Sequence, residues 1–181
     1  ERKKVMKRSS DRWSRFETPL RTWIEVVYLS KNNKIKTAGG IVLKNDKMLF
    51  IHKRGRWDLP KGKVEDGASI RETAKIEISE ETGLPKQQLK ILKKLIPTHY
   101  HKKVDGEVVV KKTEWFLLVF DGEENTPLVP DTSEGITDCR WFSFDELIPV
   151  LLDSHERIRY LIDFFLNMPY YKEYCSELGR R

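Results

Sequence analysis

Between residues 35 and 143 the apolar positions recur mostly in short strand-like runs, interrupted once by a run with helical spacing. Residues 35–44 end in the apolar Ile41, Val42 and Leu43, and 48–53 follow across an Asn45-Asp46-Lys47 turn, so this stretch predicts two paired strands. Gly39-Gly40 inside the first run marks a close approach of backbone or ligand. Residues 54–68 hold three glycines and a proline and predict a loop. Strand-rich sequence resumes at 89–103 and 107–120, joined by an Asp105-Gly106 hairpin turn. A loop rich in Gly, Pro, Glu and Asn occupies 121–135, and 137–143 predict a further strand.

The helical run announces both of its ends. Ser69 and Glu72 form an S-x-x-E capping box with Ile70 as first helical residue, Gly83 follows the last one, and Pro85 lies just beyond. C-terminal to the strands, Phe144–Asp153 is helical but interrupted by Pro149. His155–Met168 carries Ile158, Leu161, Ile162, Phe165 and Leu166 on one stripe, and Pro169 ends it. Residues 170–178 predict a last short helix. Upstream, Thr18-Pro19 is a helix-start signal, with Leu20, Trp23, Ile24, Val27 and Tyr28 at helical spacing, although the same stretch also alternates as a strand would. Mixed strands around a central helix, with further helices at the end, predict an α/β sandwich layered around a mixed β-sheet. The organisation expected is a basic arm and helix over 1–34, a domain over 35–153 and a C-terminal helical extension over 154–181.

Bulk properties narrow the class. A chain of 181 residues buries about 70% of its unfolded surface, so it needs no disulfide or structural metal to fold. Cys139 and Cys175 stand far apart in no metal-ligand spacing, and reduced intracellular thiols are expected. No apolar run approaches the ~18 residues of a membrane span, and the start is not a signal peptide, which together lead to a cytoplasmic expectation. The chain begins at Glu1 rather than Met, and a longer natural N-terminus is expected. The net charge of +6 is unevenly placed: residues 1–36 hold eleven basic against four acidic residues, a net of +7, which leaves the remainder at −1. Basicity therefore belongs to the arm. A solvated tail is the plain reading, with binding of nucleic acid or an anionic surface as the alternative use of that arm.

Chemistry concentrates in residues 62–84. Glu77, Glu80 and Glu81 stand at i, i+3 and i+4, which on a helix places all three on neighbouring sides of one or two turns. Like charges so placed repel by about 0.2–0.5 kcal/mol per pair. A hard divalent cation such as Mg²⁺ or Mn²⁺, which takes oxygen ligands, turns that repulsion into a binding site. At about 100° per residue, Glu77 and Glu81 share the face of Ile70, Ala74 and Ile78 that must turn toward the sheet. A merely solvated acidic surface would put them on the opposite side.

This segment resembles the Nudix box, whose pattern is Gly, five residues, Glu, seven residues, Arg-Glu-apolar-any-Glu-Glu-any-Gly-apolar. Gly62, Glu77, Ile78, Glu80, Glu81, Gly83 and Leu84 satisfy it, while Ala68 replaces the first Glu and Ile76 replaces Arg. The resemblance covers about residues 36–153 and implies the Nudix α/β/α sandwich. It also implies a hydrolase that uses Mg²⁺ or Mn²⁺ to cleave phosphoanhydrides. By that resemblance Glu80 and Glu81 are metal ligands, Glu77 is the remaining ligand and base, and an acid from the loop before the last strand contributes, with Glu134 nearest and Asp131 behind it. The family arginine orients the first catalytic glutamate, which Ile76 does not do, so retained metal affinity with reduced turnover is expected. A degenerate, non-catalytic domain that senses nucleotides stays open beside it.

Arg54-Gly55-Arg56-Trp57-Asp58-Leu59-Pro60-Lys61-Gly62-Lys63 leads into the helix and suits a polyphosphate through point charges and backbone N–H groups. Lys61 is the first choice for substrate phosphates, ahead of Arg54 and Lys63, and Trp57 reads as a packing residue. Tyr100, sixteen residues past Leu84, resembles the aromatic marker of diadenosine polyphosphate hydrolases. Lys102, Lys103, Lys111 and Lys112 near it suit a long anionic chain or simply guard a sheet edge. His99 and His101 read as exposed polar positions. Dinucleoside polyphosphates are thus the preferred substrate, ahead of sugar nucleotides, nucleoside triphosphates and diphosphoinositol polyphosphates.

Overall fold

The computed structural model describes residues 34–169 and residue 171. The basic arm, the helix expected over 18–28, the one expected over 170–178 and Cys175 lie outside the described residues. Among the described residues, 35–100 and 111–169 belong to one compact unit, whereas 101–110 and Lys34 belong to another.

The described residues form a mixed eight-stranded sheet. Its strands are β1 (Lys34–Lys44), β2 (Lys47–Lys53), β3 (Arg56–Asp58), β4 (Lys61–Lys63), β5 (Leu89–Lys94), β6 (Thr98–Val104), β7 (Glu107–Phe120) and β8 (Ile136–Ser143). The path runs β3-β2-β1-β7-β5, with β4 on β1, β6 on β7 and β8 on β2. The β1–β2 hairpin pairs Leu43 with Met48, and Asn45 at its turn takes φ 52°, a left-handed conformation that Asn tolerates.

Three expectations are corrected. Residues 54–68 are not all loop: Trp57 pairs with His52, and Gly62 with Ala38, as two short strands. Runs of three residues are too brief to show a period. Residues 89–103 are two strands rather than one, because Pro97 in the break has no N–H to give a ladder. Pro149 does not interrupt a helix, since it falls in the first turn of α2 (Leu147–Leu152), where N–H groups have no intrahelical acceptor.

Helix α1 (Ile70–Thr82) begins and ends where its caps dictate. Ser69 accepts from the Glu72 N–H, and Gly83 closes the helix in the left-handed region at φ 75°, its N–H donating to Ser79 O at 2.8 Å. Alternation along the strands then sorts side chains into two layers. Ala38, Val42, Leu49, Phe116, Leu118 and Phe120 meet Ala74 and Ile78 of α1 on one face. Ile41, Leu43, Met48, Phe50, Trp115 and Leu117 meet Leu147 and Val150 of α2, and Ile158, Leu161, Ile162 and Phe165 of α3 (Glu156–Leu166), on the other. The stripe read at 158–166 is therefore the face that covers the sheet. No helix of the described residues is long and apolar enough to cross a membrane.

Candidate active site

Fixing α1 on the sheet through Ala74 and Ile78 decides which of its carboxylates turn inward. Glu81 is 1% exposed, Glu77 is half-buried and Glu80 is exposed. Strand β4 passes directly beneath. A β-carbon at position 62 would collide with the Glu77 carboxylate, so only glycine lets that carboxylate lie against the strand. The adjacent Lys61 N–H donates to Glu81 Oε2 at 2.7 Å. Gly39 answers its sequence expectation in the same region: its missing side chain makes room for Pro60 O, which accepts from the Gly40 N–H at 3.2 Å. The approaching group is backbone.

The loop after β7 returns to the C-terminal end of α1. Val129 N–H donates to Thr82 O at 2.8 Å and Asp131 N–H to Glu81 O at 3.4 Å, which brings Glu134 to the site. Lys53, the last residue of β2, joins the two elements: its ammonium lies 2.6 Å from Glu81 Oε1 and 2.7 Å from Glu134 Oε2. Burial works against the Lys53 charge, but Glu81 and Glu134 outweigh it and hold its pKa above the ordinary lysine value. Both Glu81 oxygens accept from donors, the pattern of an ionised carboxylate, although burial pushes its carboxyl upward.

Among the described residues Glu77 has no such partner. Burial, then the charges of Glu81, Glu80 and Glu134, push its pKa up to about 7, with Lys53 pulling weakly the other way. Ile76, which stands where the box pattern has Arg, is 37% exposed and carries no charge. Ala68 is also exposed, so neither departure from the box pattern leaves a buried charge without a partner. Among the described residues no three His, Cys, Asp or Glu side chains gather as a metal-holding group. The donor chemistry nevertheless fits a hard divalent cation: all four groups are carboxylates, and the repulsion that raises Glu77 is what such a cation relieves.

That repulsion has a measurable sign. Glu77 moves from an ordinary 4.5 to about 7 on folding, so its contribution to stability is full below pH 4.5 and lost as the pH rises through 7. In EDTA, the melting temperature of the wild type is expected to fall more steeply between pH 5.5 and 8 than that of Glu77→Gln. Parallel melting profiles for the two proteins would refute the shift.

A second network flanks the first. Asp58, 5% exposed, accepts from Leu59 N–H at 2.8 Å, Lys61 Nζ at 2.7 Å and Arg157 Nη2 at 3.3 Å. Arg157, from the first turn of α3, places its guanidinium 4.4 Å from the Tyr100 ring centroid, a cation–π contact. Lys61 therefore acts through both of its ends, its backbone on Glu81 and its ammonium on Asp58.

The other anticipated residues are dispersed. Arg54 is exposed at the β2–β3 turn, where it takes φ 55° and its N–H donates to Gly135 O at 3.3 Å. Lys63 is exposed and pairs with Glu65 at 3.1 Å. Asp131 caps the turn Thr132–Glu134 by accepting from Ser133 N–H at 3.0 Å, and its bonds to Ser133, with the Lys53 charge, hold its carboxyl below the ordinary value. Trp57 packs edge-on against Phe142 at 4.9 Å, as a packing residue does. His99 and His101 are exposed. Sequence reasoning missed Lys53, Asp58 and Arg157 as site residues. A basic residue ending a strand just before the box loop was the available sign for Lys53, and Asp58 stands beside Lys61 in the same segment. Arg157 had none, since 99 positions separate it from Asp58.

Comparison with known proteins bears on the family and the fold. The model of the NUDIX domain matches residues 33–165. The chain is 27% identical over 136 residues to the RNA pyrophosphohydrolase of Wolbachia sp. subsp. Brugia malayi, which covers 66% of this chain and 82% of that protein. Among solved structures, a binary complex of the C. elegans Ap4A hydrolase superposes with a TM-score of 0.54 at 19% identity, covering 74% of this chain and 99% of that one. A bifunctional NMN adenylyltransferase/ADP ribose pyrophosphatase from Francisella tularensis, complexed with AMP and a Mn ion, superposes at 0.52 with 20% identity, covering 82% of this chain and 46% of that one. At these identities the structural likeness establishes the fold.

Proposed function

The chain belongs to the NUDIX domain family, and we propose that it acts there as a Mg²⁺- or Mn²⁺-dependent pyrophosphohydrolase. Its substrate is a nucleoside diphosphate derivative, with dinucleoside polyphosphates the preferred class, and it works in the cytoplasm. The observation that carries this reading is the half-buried Glu77 carboxylate, raised to about 7 by burial and three further carboxylates beside the backbone of β4. Such a concentration of negative charge opposes folding and earns its place by chemistry. The names of the relatives point the same way, toward pyrophosphate bonds in RNA and in Ap4A.

Glu81, Glu80, Glu77 and Glu134 would hold the cation, which supplies charge neutralisation of the diphosphate and a more acidic water. Glu77 is the candidate both for a remaining ligand and for the base that takes the proton of the attacking water. Lys61 keeps Glu81 in position through its N–H, and Asp58 keeps Lys61 in position through its ammonium. Arg54 and Lys63, both exposed, are available to the phosphates. Tyr100, backed by Arg157, offers its remaining surface to a base.

A second reading, a nucleotide sensor that does not turn over, is favoured by Ala68 and Ile76, which replace the Glu and the Arg of the box pattern. Assay of diadenosine tetraphosphate, ADP-ribose, nucleoside triphosphates and 5′-triphosphorylated RNA, each with and without Mn²⁺, separates the two. Metal-dependent product release is expected from the wild type, with a rate about 10²-fold higher for Ala68→Glu/Ile76→Arg, the low end of what one positioned proton-transfer group supplies. Tight nucleotide binding with no product from either protein would establish the sensor instead.

A further inference from the structure

The site already contains a cation that is part of the chain. The Lys53 ammonium touches Glu81 at 2.6 Å and Glu134 at 2.7 Å, and its side chain is only 16% exposed. The other Glu81 oxygen is held by the Lys61 N–H at 2.7 Å. Glu81 comes from α1 and Glu134 from the loop before β8, so Lys53 ties together two acids whose elements otherwise meet through backbone bonds such as Asp131 N–H to Glu81 O. Two carboxylates 53 positions apart in the chain would repel if nothing stood between them. An ammonium and a hard divalent cation seek the same oxygens. They do not share them comfortably, since their own repulsion acts in a place where bulk water screens little.

We propose that Lys53 is a positioning residue that acts as an internal counter-cation. It holds Glu81 and Glu134 ready for a divalent ion and is exchanged for that ion when it binds. The proposal rests on the metal-dependent reading above and deepens it. Binding of the ion alone is an exchange reaction, and its net affinity is lowered by the ammonium it displaces. The displaced ammonium stays on its β2 tether beside the metal, where an anionic phosphate is its natural new partner. Metal and polyphosphate therefore assist one another's binding, each by the same factor.

The test is titration of the full chain with Mn²⁺ alone, without nucleotide, followed by calorimetry and by the electron paramagnetic resonance signal of free Mn²⁺. Lys53→Met and, as a second neutral variant that keeps hydrogen-bond donors, Lys53→Gln are each expected to bind Mn²⁺ at least tenfold more tightly than the wild type. Lys53→Arg, which keeps the charge, is expected to stay within about threefold of it. Glu81→Gln should lose the binding. Equal or weaker Mn²⁺ affinity in both neutral variants, with wild-type binding intact, would overturn the exchange and leave the metal-dependent reading standing. No Mn²⁺ binding by any of the proteins would overturn both.

Discussion

Glu81→Gln is expected to lower turnover of the best substrate by about 10²–10⁴-fold while the protein remains folded. The argument is one of position and charge. Glu81 is 1% exposed and lies where α1, β2, β4 and the loop bearing Glu134 converge. A glutamine keeps the volume and can still accept the Lys61 N–H through its amide oxygen. Its NH₂ then faces the Lys53 ammonium, two donors in contact, and Lys53 falls back on Glu134 alone. The structural cost of that mismatch is about 1–3 kcal/mol, which a domain of this size survives. Chemistry, by contrast, loses one full negative charge at its centre. Rates should be measured at a Mn²⁺ concentration that saturates the wild type, with melting temperature and circular dichroism in parallel. A kcat within threefold of the wild type in a folded variant would remove Glu81 from the reaction.

The largest expected effect on stability lies next door. Asp58→Ala is expected to destabilise the protein by about 3–5 kcal/mol, because it strands two partly buried cations that the carboxylate now neutralises. Lys61 and Arg157 are 11% and 17% exposed at the side chain, and Asp58 Oδ2 serves them both. Burial pushes the Asp58 carboxyl upward, yet Lys61 and Arg157 pull it below its ordinary value of 3.8. Its contribution is therefore present above that value and lost as the pH falls through the lower folded one. Among the described residues Arg157 Nε is buried without an acceptor, and the Tyr100 ring and Asp58 hold this side chain. For a domain of 150–250 residues such a loss lowers the melting temperature by about 6–20 °C. Adding Arg157→Met to Asp58→Ala should recover part of it, since the stranded guanidinium is then gone. A drop below about 2 °C in Asp58→Ala would mean that water reaches the pair and screens it.

How these residues were legible differs by kind. Ser69, Glu72 and Gly83 mark the ends of α1 because a helix leaves orphan N–H and C=O groups at its termini and few residues satisfy them. The helical wheel placed Glu77 and Glu81 on the buried side with Ala74 and Ile78, and the exposed Ile76 on another, because three or four residues of separation is a distance the helix itself sets. The hairpin turns at Asn45 and Asp105 were readable because residues that tolerate positive φ are few. β3 and β4 were not, since three-residue strands exist only by virtue of the β2 and β1 edges they pair with.

By itself, then, the chain's order of residues determined the helix that carries the acids, the strands that alternate around it, the α/β/α sandwich and the family to which it belongs. Each of these rests on interactions among residues a few positions apart, or on a pattern of fixed spacing. Tertiary structure alone decided that Lys53 reaches Glu81 and Glu134, that Gly62 makes room for Glu77, and that Arg157 and Lys61 share Asp58. Those pairings join residues up to 99 positions apart. A sheet brings such residues together through the register of non-neighbouring strands and the helices laid on them, and the depth at which a charge is buried, which sets its partners and its proton affinity, follows only from that assembly.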